Sequence, residues 1–505
     1  MSNLPSQSSA SIARNTIYGA LTWLLPLALS LAVTPLLYRS LGTETYGIYV
    51  LVIGLISYSF NFGIGRAVVR YISAYRSTNE GAMIRGIFSA TLIIAAVIGS
   101  FGMISILLLA DVLVSDVLRI DAHLAAEAAS AIRIAAIIIF FSTINQVFWS
   151  VLQGAHRFDI YSKLFNANSF LTLGGTLVLA ILRAELLYIF LWNLLSMVVV
   201  TAISAFASKK AVPEIRPDVG QAKLHLMTVL RFSSGIIGYQ ILGNVLLLFE
   251  RGWIVRTMGA DVLAYYVIAM SMGMYLHGFS TSLTLTITPL ASETQKDPER
   301  LLLLYKRATK FILIIVAFIA SALLASSGTF LTVWIGQDVA ANAAILMAIH
   351  VAAFSLHAIS IISWQMREGL GVPGQNFLVY LLAFLVNVLL LIWLSQSLDA
   401  TGAAIARFVS CAIIFLSILQ FELWLFKRIQ TAFWARLIGV VGIAFILGGV
   451  CNYLLLSQLP ASWIGLLTAS LANGIIYVLV LWMLRILTTE ERALLKAFLG
   501  KYRNV

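Results

Sequence analysis

Stretches of about twenty residues that are apolar on every face recur along almost the whole chain, and they restrict its fold more than any other feature. "LIIAAVIGSFGMISILLLA" (92–110) and "LLYIFLWNLLSMVVVTAIS" (186–204) are two of them. A hydrocarbon slab of roughly 30 Å is crossed by about 20 helical residues, whereas a barrel strand alternates in polarity over about ten. In lipid each backbone N–H and C=O must be satisfied within its own segment, so stretches apolar all round read as helices. The expected fold class is therefore an all-α polytopic membrane protein. Composition agrees: 61% of the 505 residues are hydrophobic and 11% charged, where soluble chains carry about a quarter charged.

Fourteen candidate spans follow, at roughly 14–38, 47–66, 86–110, 131–152, 164–182, 185–206, 229–255, 262–290, 308–332, 342–365, 376–395, 400–425, 433–456 and 463–486. With the N-terminus inside, the even-numbered junctions and both tails hold about 26 of the 33 Lys and Arg, and the odd-numbered junctions about 7. Both termini are expected in the cytoplasm. Acidic residues divide almost evenly between the sides, so the net +12 reflects orientation and no nucleic-acid partner is expected. Residues 1–15 read as a short unstructured tail. Residues 487–505 read as a cytoplasmic amphipathic helix, opened by the capping box Thr488-x-x-Glu491. Trp334, Trp463 and Trp434 near span ends fit an interfacial aromatic belt. Cys411 and Cys451, the chain's two cysteines, lie in apolar runs and read as small buried hydrophobes.

One phrase occurs twice. "RSLGTETYGIYV" (39–50) and "RTMGADVLAYYV" (256–267) are separated by 217 positions, and the same offset carries Arg14 onto Arg231 and Gly154 onto Gly371. Six spans per copy is an even number, so both copies enter the membrane from the same side. The expected architecture is two six-helix lobes, 1–210 and 211–430, related by a pseudo-two-fold along the membrane normal. Two appended spans (431–486) and the tail (487–505) complete it. A cavity between like lobes that opens alternately to each face is the physical consequence of such a duplication, so the chain reads as a transporter.

The phrases "PLLYRSLGTETYG", "NFGIGRAVVRYIS", "VLQGAHRF", "ERGWIVRTMGADVLAYY" and "TPLASE" resemble the Wzx-type polysaccharide flippases of the multidrug/oligosaccharidyl-lipid/polysaccharide exporter (MOP) superfamily. The resemblance implies a bacterial inner-membrane protein that turns undecaprenyl-diphosphate-linked oligosaccharide from the cytoplasmic to the periplasmic leaflet. It also implies membrane lipids, a polysaccharide polymerase and chain-length machinery as partners. The sequence departs from the family pattern at Asn61, where an acidic residue is expected before the glycine, and at Glu250-Arg251, where Asp-Arg is common.

Such a substrate presents a diphosphate, sugar hydroxyls and a long apolar tail. Arg suits the diphosphate because its planar fork bonds phosphate oxygens in pairs, and a charge within a span is costly unless it faces a cavity or a partner. Arg407, about 10 Å inside the outer end of span 12, is the deepest such candidate; it contacts phosphate, snorkels, or pairs with Asp399. Arg66 and Arg70, one turn apart at the inner end of span 2, either meet a diphosphate or anchor orientation. Glu250 and Arg251 fall inside span 7. Arg251 is a substrate-binding candidate, and Glu250 is either an ion-coupling carboxylate or half of an interhelical salt bridge. Asn61, Gln240 and Asn244, with Asn145, Gln146, Asn193 and Asn387, serve hydroxyls or glue helices. Arg39 and Arg256 read as caps on the carbonyl ends of spans 1 and 7.

No catalytic motif, cofactor fingerprint or metal-ligand spacing is found. His350 and His357 share a helix face without a carboxylate between them, and His277 stands alone in span 8, so all three read as buried structural histidines. Two other functions fit the membrane class: a multidrug or cation antiporter of the same superfamily, which wants acidic span interiors, and a membrane glycan polymerase or ligase. The enzyme wants a sizeable polar outer loop, and the longest candidate, about 111–130, is short.

Overall fold

The structure is a computed structural model that describes residues 9–60, 63, 65–77, 80–284 and 286–486. Helix dominates, and no strand occurs among the described residues. The first eight helices are α1 (Ser9–Leu41), α2 (Thr43–Tyr58), α3 (Gly65–Ser77), α4 (Gly81–Val112), α5 (Ala122–Gly154), α6 (Phe158–Ile181), α7 (Leu186–Ala211) and α8 (Val219–Met258). There follow α9 (Ala260–Leu283), α10 (Ile287–Thr294), α11 (Pro298–Trp334), α12 (Gln337–Gly369), α13 (Gly374–Phe426), α14 (Thr431–Gln458) and α15 (Trp463–Met483). Eleven helices among the described residues are long and apolar enough to cross a membrane. At 16 residues α2 is too short for that set, and α13 enters it as one helix although spans 11 and 12 both lie within it. Its backbone leaves the helix at Asp399 (φ 47°, ψ −134°), which makes two arms.

Several local expectations are corrected. Residues 9–15 are helical rather than an unstructured tail, because α1 starts at Ser9. Span 2 is not one helix to residue 66. It stops at Tyr58, Phe60 takes φ 55° and Gly63 φ 65°, and a separate helix α3 begins at Gly65. The ring of Phe60 holds this break by sitting where a side chain on Gly102 would be, with Phe101 edge-on at 6.4 Å. The outer segment 111–130 is mostly helical too, since α4 continues through a π-helical turn (Leu113–Val117) and α5 starts at Ala122. Trp334 and Trp434 are buried rather than belted at a surface, while Trp463 is exposed. Asn61 and the amphipathic segment 487–505 lie outside the described residues.

The repeated phrase has a repeated backbone. Between α1 and α2, Gly42 (φ 79°) donates to Tyr38 O at 3.0 Å and accepts from Tyr46 N at 3.0 Å. Between α8 and α9, Gly259 (φ 100°) donates to Val255 O at 3.1 Å and accepts from Leu263 N at 3.4 Å. Every partner is displaced by the same 217 positions, and both glycines hold the left-handed φ that a Cβ would strain. A second junction recurs with a slip. Arg157 N donates to Leu152 O at 2.8 Å around His156 (φ 57°), and Val372 N donates to Arg367 O at 2.9 Å around Gly371 (φ 77°). Gly371 thus matches His156 rather than Gly154, because the offset has shortened by two residues between the landmarks.

By proximity the chain forms two compact units, residues 1–267 with 373–403, and residues 268–372 with 404–505. The cuts pass through α9 and α13 and differ from 210/211 and 430/431; closeness in space and descent from a duplication are separate properties. In the first unit α5 is central, packed by α2, α3, α4 and α7. In the second, α11 packs on α12 and α14, and α14 on α15.

Buried polar residues knit each unit. In the second, Asn473 Nδ2 donates to Ser321 Oγ at 3.1 Å, and Gly448 leaves space for the Asn473 amide. Glu422, fully buried, accepts from Tyr305 Oη, Trp434 Nε1 and Gln430 N, each at 2.7 Å, and so ties α11 and α14 to the second arm of α13. Arg367, also fully buried, donates to Ser417 O at 2.8 Å with its guanidinium 5.3 Å from the Phe421 ring. In the first unit Arg251 donates to Val50 O and lies 5.4 Å over the Tyr58 ring. Gly54 makes that possible: a Cβ there would stand 2.6 Å from Arg251 Nη1. Gly54→Val is therefore expected to expel the guanidinium from the α2–α8 seam and destabilise the protein by about 1–3 kcal/mol, read as a lower unfolding midpoint in detergent. An unchanged midpoint would contradict the packing role of Gly54.

Candidate polar cavity in the first unit

A cavity of about 620 Å³ lies within the first unit, among α2, the start of α3, α5, α6 and α7. Its chemistry follows from two helical stripes. On α5 the lining residues Ser142, Gln146, Trp149, Ser150 and Gln153 fall at spacings of about three and four, which is one helix face. On α6, Tyr161, Phe165, Asn168 and Thr172 repeat the pattern. The facing stripes meet through their rings: Trp149 is 5.8 Å from Tyr161 and 5.3 Å from Phe165, and Tyr161 is 5.9 Å from Phe165. Trp149 Nε1 is anchored on Ser204 Oγ at 3.1 Å, which fixes the indole plane.

The floor is polar and partly unspent. Asn193 on α7, 4% exposed, accepts from Thr176 Oγ1 at 3.2 Å, while its Nδ2 has no hydrogen-bond partner. Asn168 Oδ1 is likewise buried and unpartnered. Buried amides normally find partners, so these two atoms are available to a polar ligand.

Among the described residues, Arg66 is the one charged residue on the lining. The break after α2 places it in the first turn of α3, beside the partial positive charge of a helix N-terminus. Gly65 allows α3 to start there, since a side chain on it would overlap Ser150 Oγ on α5. Arg66 Nη1 donates to Tyr239 Oη at 3.2 Å, which leaves most of its donor fork open. The residue is exposed, and among the described residues the lining carries no carboxyl group. The arrangement can hold an anionic group at Arg66, hydroxyls on amides and hydroxyl side chains, and a flat apolar face against Trp149.

The other sequence candidates are distributed as follows. Gln240 adjoins the cavity, its Oε1 2.6 Å from where a Cβ on Gly63 would stand. Arg70 is exposed on α3, its guanidinium 5.7 Å from the Tyr71 ring, and it does not line the cavity. Asn244, Glu250 and Arg251 follow on α8, with Glu250 1% and Arg251 6% exposed. Arg407 is buried on the second arm of α13, in the other unit. Arg256 caps carbonyls as expected of its type, but on a different helix: it donates to Asp116 O at 2.5 Å and Val117 O at 2.7 Å, at the end of the π-helical turn after α4. His277 does not stand alone, since its ring is 4.2 Å from that of His357.

Sequence reasoning named Gln146 and Asn193 but missed Trp149, Ser142, Ser150, Gln153, Tyr161, Asn168 and Thr172. Their signal was the polar and aromatic stripe at helical spacing inside two otherwise apolar spans. Among the described residues no group of three or more His, Cys, Asp or Glu is arranged to hold a metal ion.

Comparison with known proteins identifies the fold and the family. A family model described as "Polysaccharide biosynthesis protein" matches residues 36–342. The putative O-antigen transporter of Shigella flexneri is 22% identical over 403 residues, covering 78% of this chain and 94% of that protein. The lipid II flippase MurJ in an inward closed conformation superposes with a TM-score of 0.72 at 12% identity, over 92% of this chain and 97% of that one. An inward-facing multidrug resistance MATE family transporter of the MOP superfamily gives 0.66 at 16% identity, over 81% and 99%. With the family model spanning more than half its length, this multi-pass membrane protein belongs to the polysaccharide biosynthesis protein family and has the fold of MOP-superfamily transporters.

Proposed function

We propose that the protein is a flippase that moves undecaprenyl-diphosphate-linked oligosaccharide across a bacterial inner membrane for O-antigen, capsule or exopolysaccharide biosynthesis. Both termini lie in the cytoplasm, and two six-helix lobes with two appended helices work by alternating access. The observation that carries this reading is the first-unit cavity, where among the described residues a single cation stands with amides, hydroxyls and aromatic rings and no carboxyl group lies on the lining. Its volume of about 620 Å³ is in the range of small-ligand pockets, roughly 300–1,000 Å³. Arg66 takes the diphosphate, and the α5 and α6 stripes take the sugars. The isoprenoid tail stays in lipid, where its burial carries no penalty.

Gln240 extends the polar surface from α8. Arg251 and Asn244 of α8 and Arg407 are assigned to other substrate contacts, Glu250 to ion coupling, and Arg70, which does not line the cavity, to cytoplasmic orientation. A polysaccharide polymerase and chain-length machinery act on the delivered glycan. An antiporter for organic cations is the competing function, and a cavity whose described lining carries positive charge alone argues against it.

The deciding experiment uses proteoliposomes. Undecaprenyl-diphosphate-linked oligosaccharide, followed by a sugar-modifying enzyme outside the vesicles, is expected to cross in a protein-dependent way, while a cationic dye is not. Dye movement without glycan movement would overturn the assignment.

A further inference from the structure

The second unit carries a groove of about 450 Å³ that the proposed glycan route does not use, where the end of α9 and the start of α10 meet α11. α9 stops at Leu283 and α10 begins at Ile287, and Thr284 between them is held to α12 by accepting from Gln365 Nε2 at 2.9 Å. α11 supplies one wall from a single helix face, since Arg300, Leu304, Arg307 and Phe311 recur at spacings of four, three and four. Ile287, Ile312 and Ile362, all buried, also line the groove. The lining thus sets two guanidinium groups against hydrocarbon, and among the described residues it carries no carboxyl group. Lys306 does not belong to it, standing instead 5.9 Å over the Phe433 ring on α14.

We propose that this groove binds one anionic phospholipid, its phosphate on Arg300 and Arg307 and an acyl chain along Leu304, Ala308 and Phe311. The two arginines lie two turns apart, about 10 Å along the axis, so their heads approach one phosphate from either end while their stems pack on the apolar wall. Arg300 stands in the first turn of α11, where the partial positive charge of the helix N-terminus adds to its own. Its ion pair with Asp297, 3.2 Å long and exposed, is of the weak surface kind and exchanges for a phosphate. A lipid-linked glycan suits the groove less well. Thr284 bears the one hydroxyl on the described lining, and it is spent on Gln365 and on Ser280 O, so sugars find no partner there. A seated lipid touches α9, α10 and α11 together and therefore stabilises the second unit. The site stands apart from the flippase reading; only its leaflet, the cytoplasmic one, rests on the proposed orientation.

The test uses the full chain in detergent, with phosphatidylglycerol and phosphatidylethanolamine offered separately and bound lipid counted by native mass spectrometry. The wild type should retain one phosphatidylglycerol about tenfold more tightly than phosphatidylethanolamine, and its unfolding midpoint should rise when phosphatidylglycerol is added. R300Q/R307Q should lose both the preference and the rise. R428Q removes an exposed cation from the α13–α14 connection, outside the groove, and should keep both. A308W keeps the two arginines but fills the groove, so it should weaken phosphatidylglycerol binding as much as their loss does. Preference retained in R300Q/R307Q, or lost equally in R428Q, overturns the site. Wild-type binding by A308W overturns the groove and leaves surface attraction as the cause. Displacement of phosphatidylglycerol by undecaprenyl-diphosphate-linked oligosaccharide at equal concentration overturns the choice of occupant and makes the groove part of the glycan route.

Discussion

Replacing Arg66 with alanine is expected to lower transport of a diphosphate-linked glycan by about tenfold to a hundredfold, while the protein still folds and inserts. Hydrogen bonds to a charged group contribute about 1.5–3 kcal/mol, and that range sets the size of the loss. Folding should be spared because Arg66 is exposed and its side-chain hydrogen bond to Tyr239 is a 3.2 Å surface bond. Arg70 provides the control. It lies one turn further along α3, carries the same charge and does not line the cavity, so Arg70→Ala should change transport by less than about threefold. Initial rates at saturating and at low glycan separate lost binding from a slower crossing step. Equal losses from both substitutions would mean that bulk positive charge matters and the cavity does not.

The second large effect concerns stability. Glu422→Ala is expected to destabilise the protein by about 3 kcal/mol or more, since it strands three buried donors whose loss costs about 1–3 kcal/mol each. The donors are Tyr305 Oη, Trp434 Nε1 and Gln430 N, all held at 2.7 Å. Trp434→Phe removes one donor and leaves the carboxyl group bonded to the other two, so it should cost only about 1 kcal/mol. Denaturant unfolding of purified protein in mixed micelles reads both. Because Trp434 belongs to α14, loss of Glu422 should also expose the α13–α14 connection to protease before the rest of the chain. Wild-type unfolding of Glu422→Ala would remove this residue as the tie between α14 and the helices before it.

Some of this organisation was legible in the residues themselves. Long runs such as 92–110 leave a helix in lipid as the physically available state, because their backbone groups find partners only within the segment. The repeated Gly42 and Gly259 turns were legible for a similar reason: a left-handed φ is a local demand that glycine meets, wherever the junction sits. The break in span 2 was not legible, although "NFGIG" contains the glycines for it. A run of apolar residues continues across it, and hydropathy does not register backbone direction. The slip from Gly154 to His156 escaped for the opposite reason, since a non-glycine residue holds the left-handed turn there.

What the chain determined by itself was therefore whatever depends on neighbours within a few positions: helix, span, turn, and the polar stripe along one face of α5. Only the tertiary structure decided what each face meets. It set the α5 stripe against the rings of α6, brought His277 to His357, and gathered Glu422, Tyr305 and Trp434 from three helices. Helical periodicity states on which side a residue points but carries no information about the partner helix. That partner is chosen by close packing at small residues such as Gly54, Gly65 and Gly273, whose consequences appear only when distant segments touch.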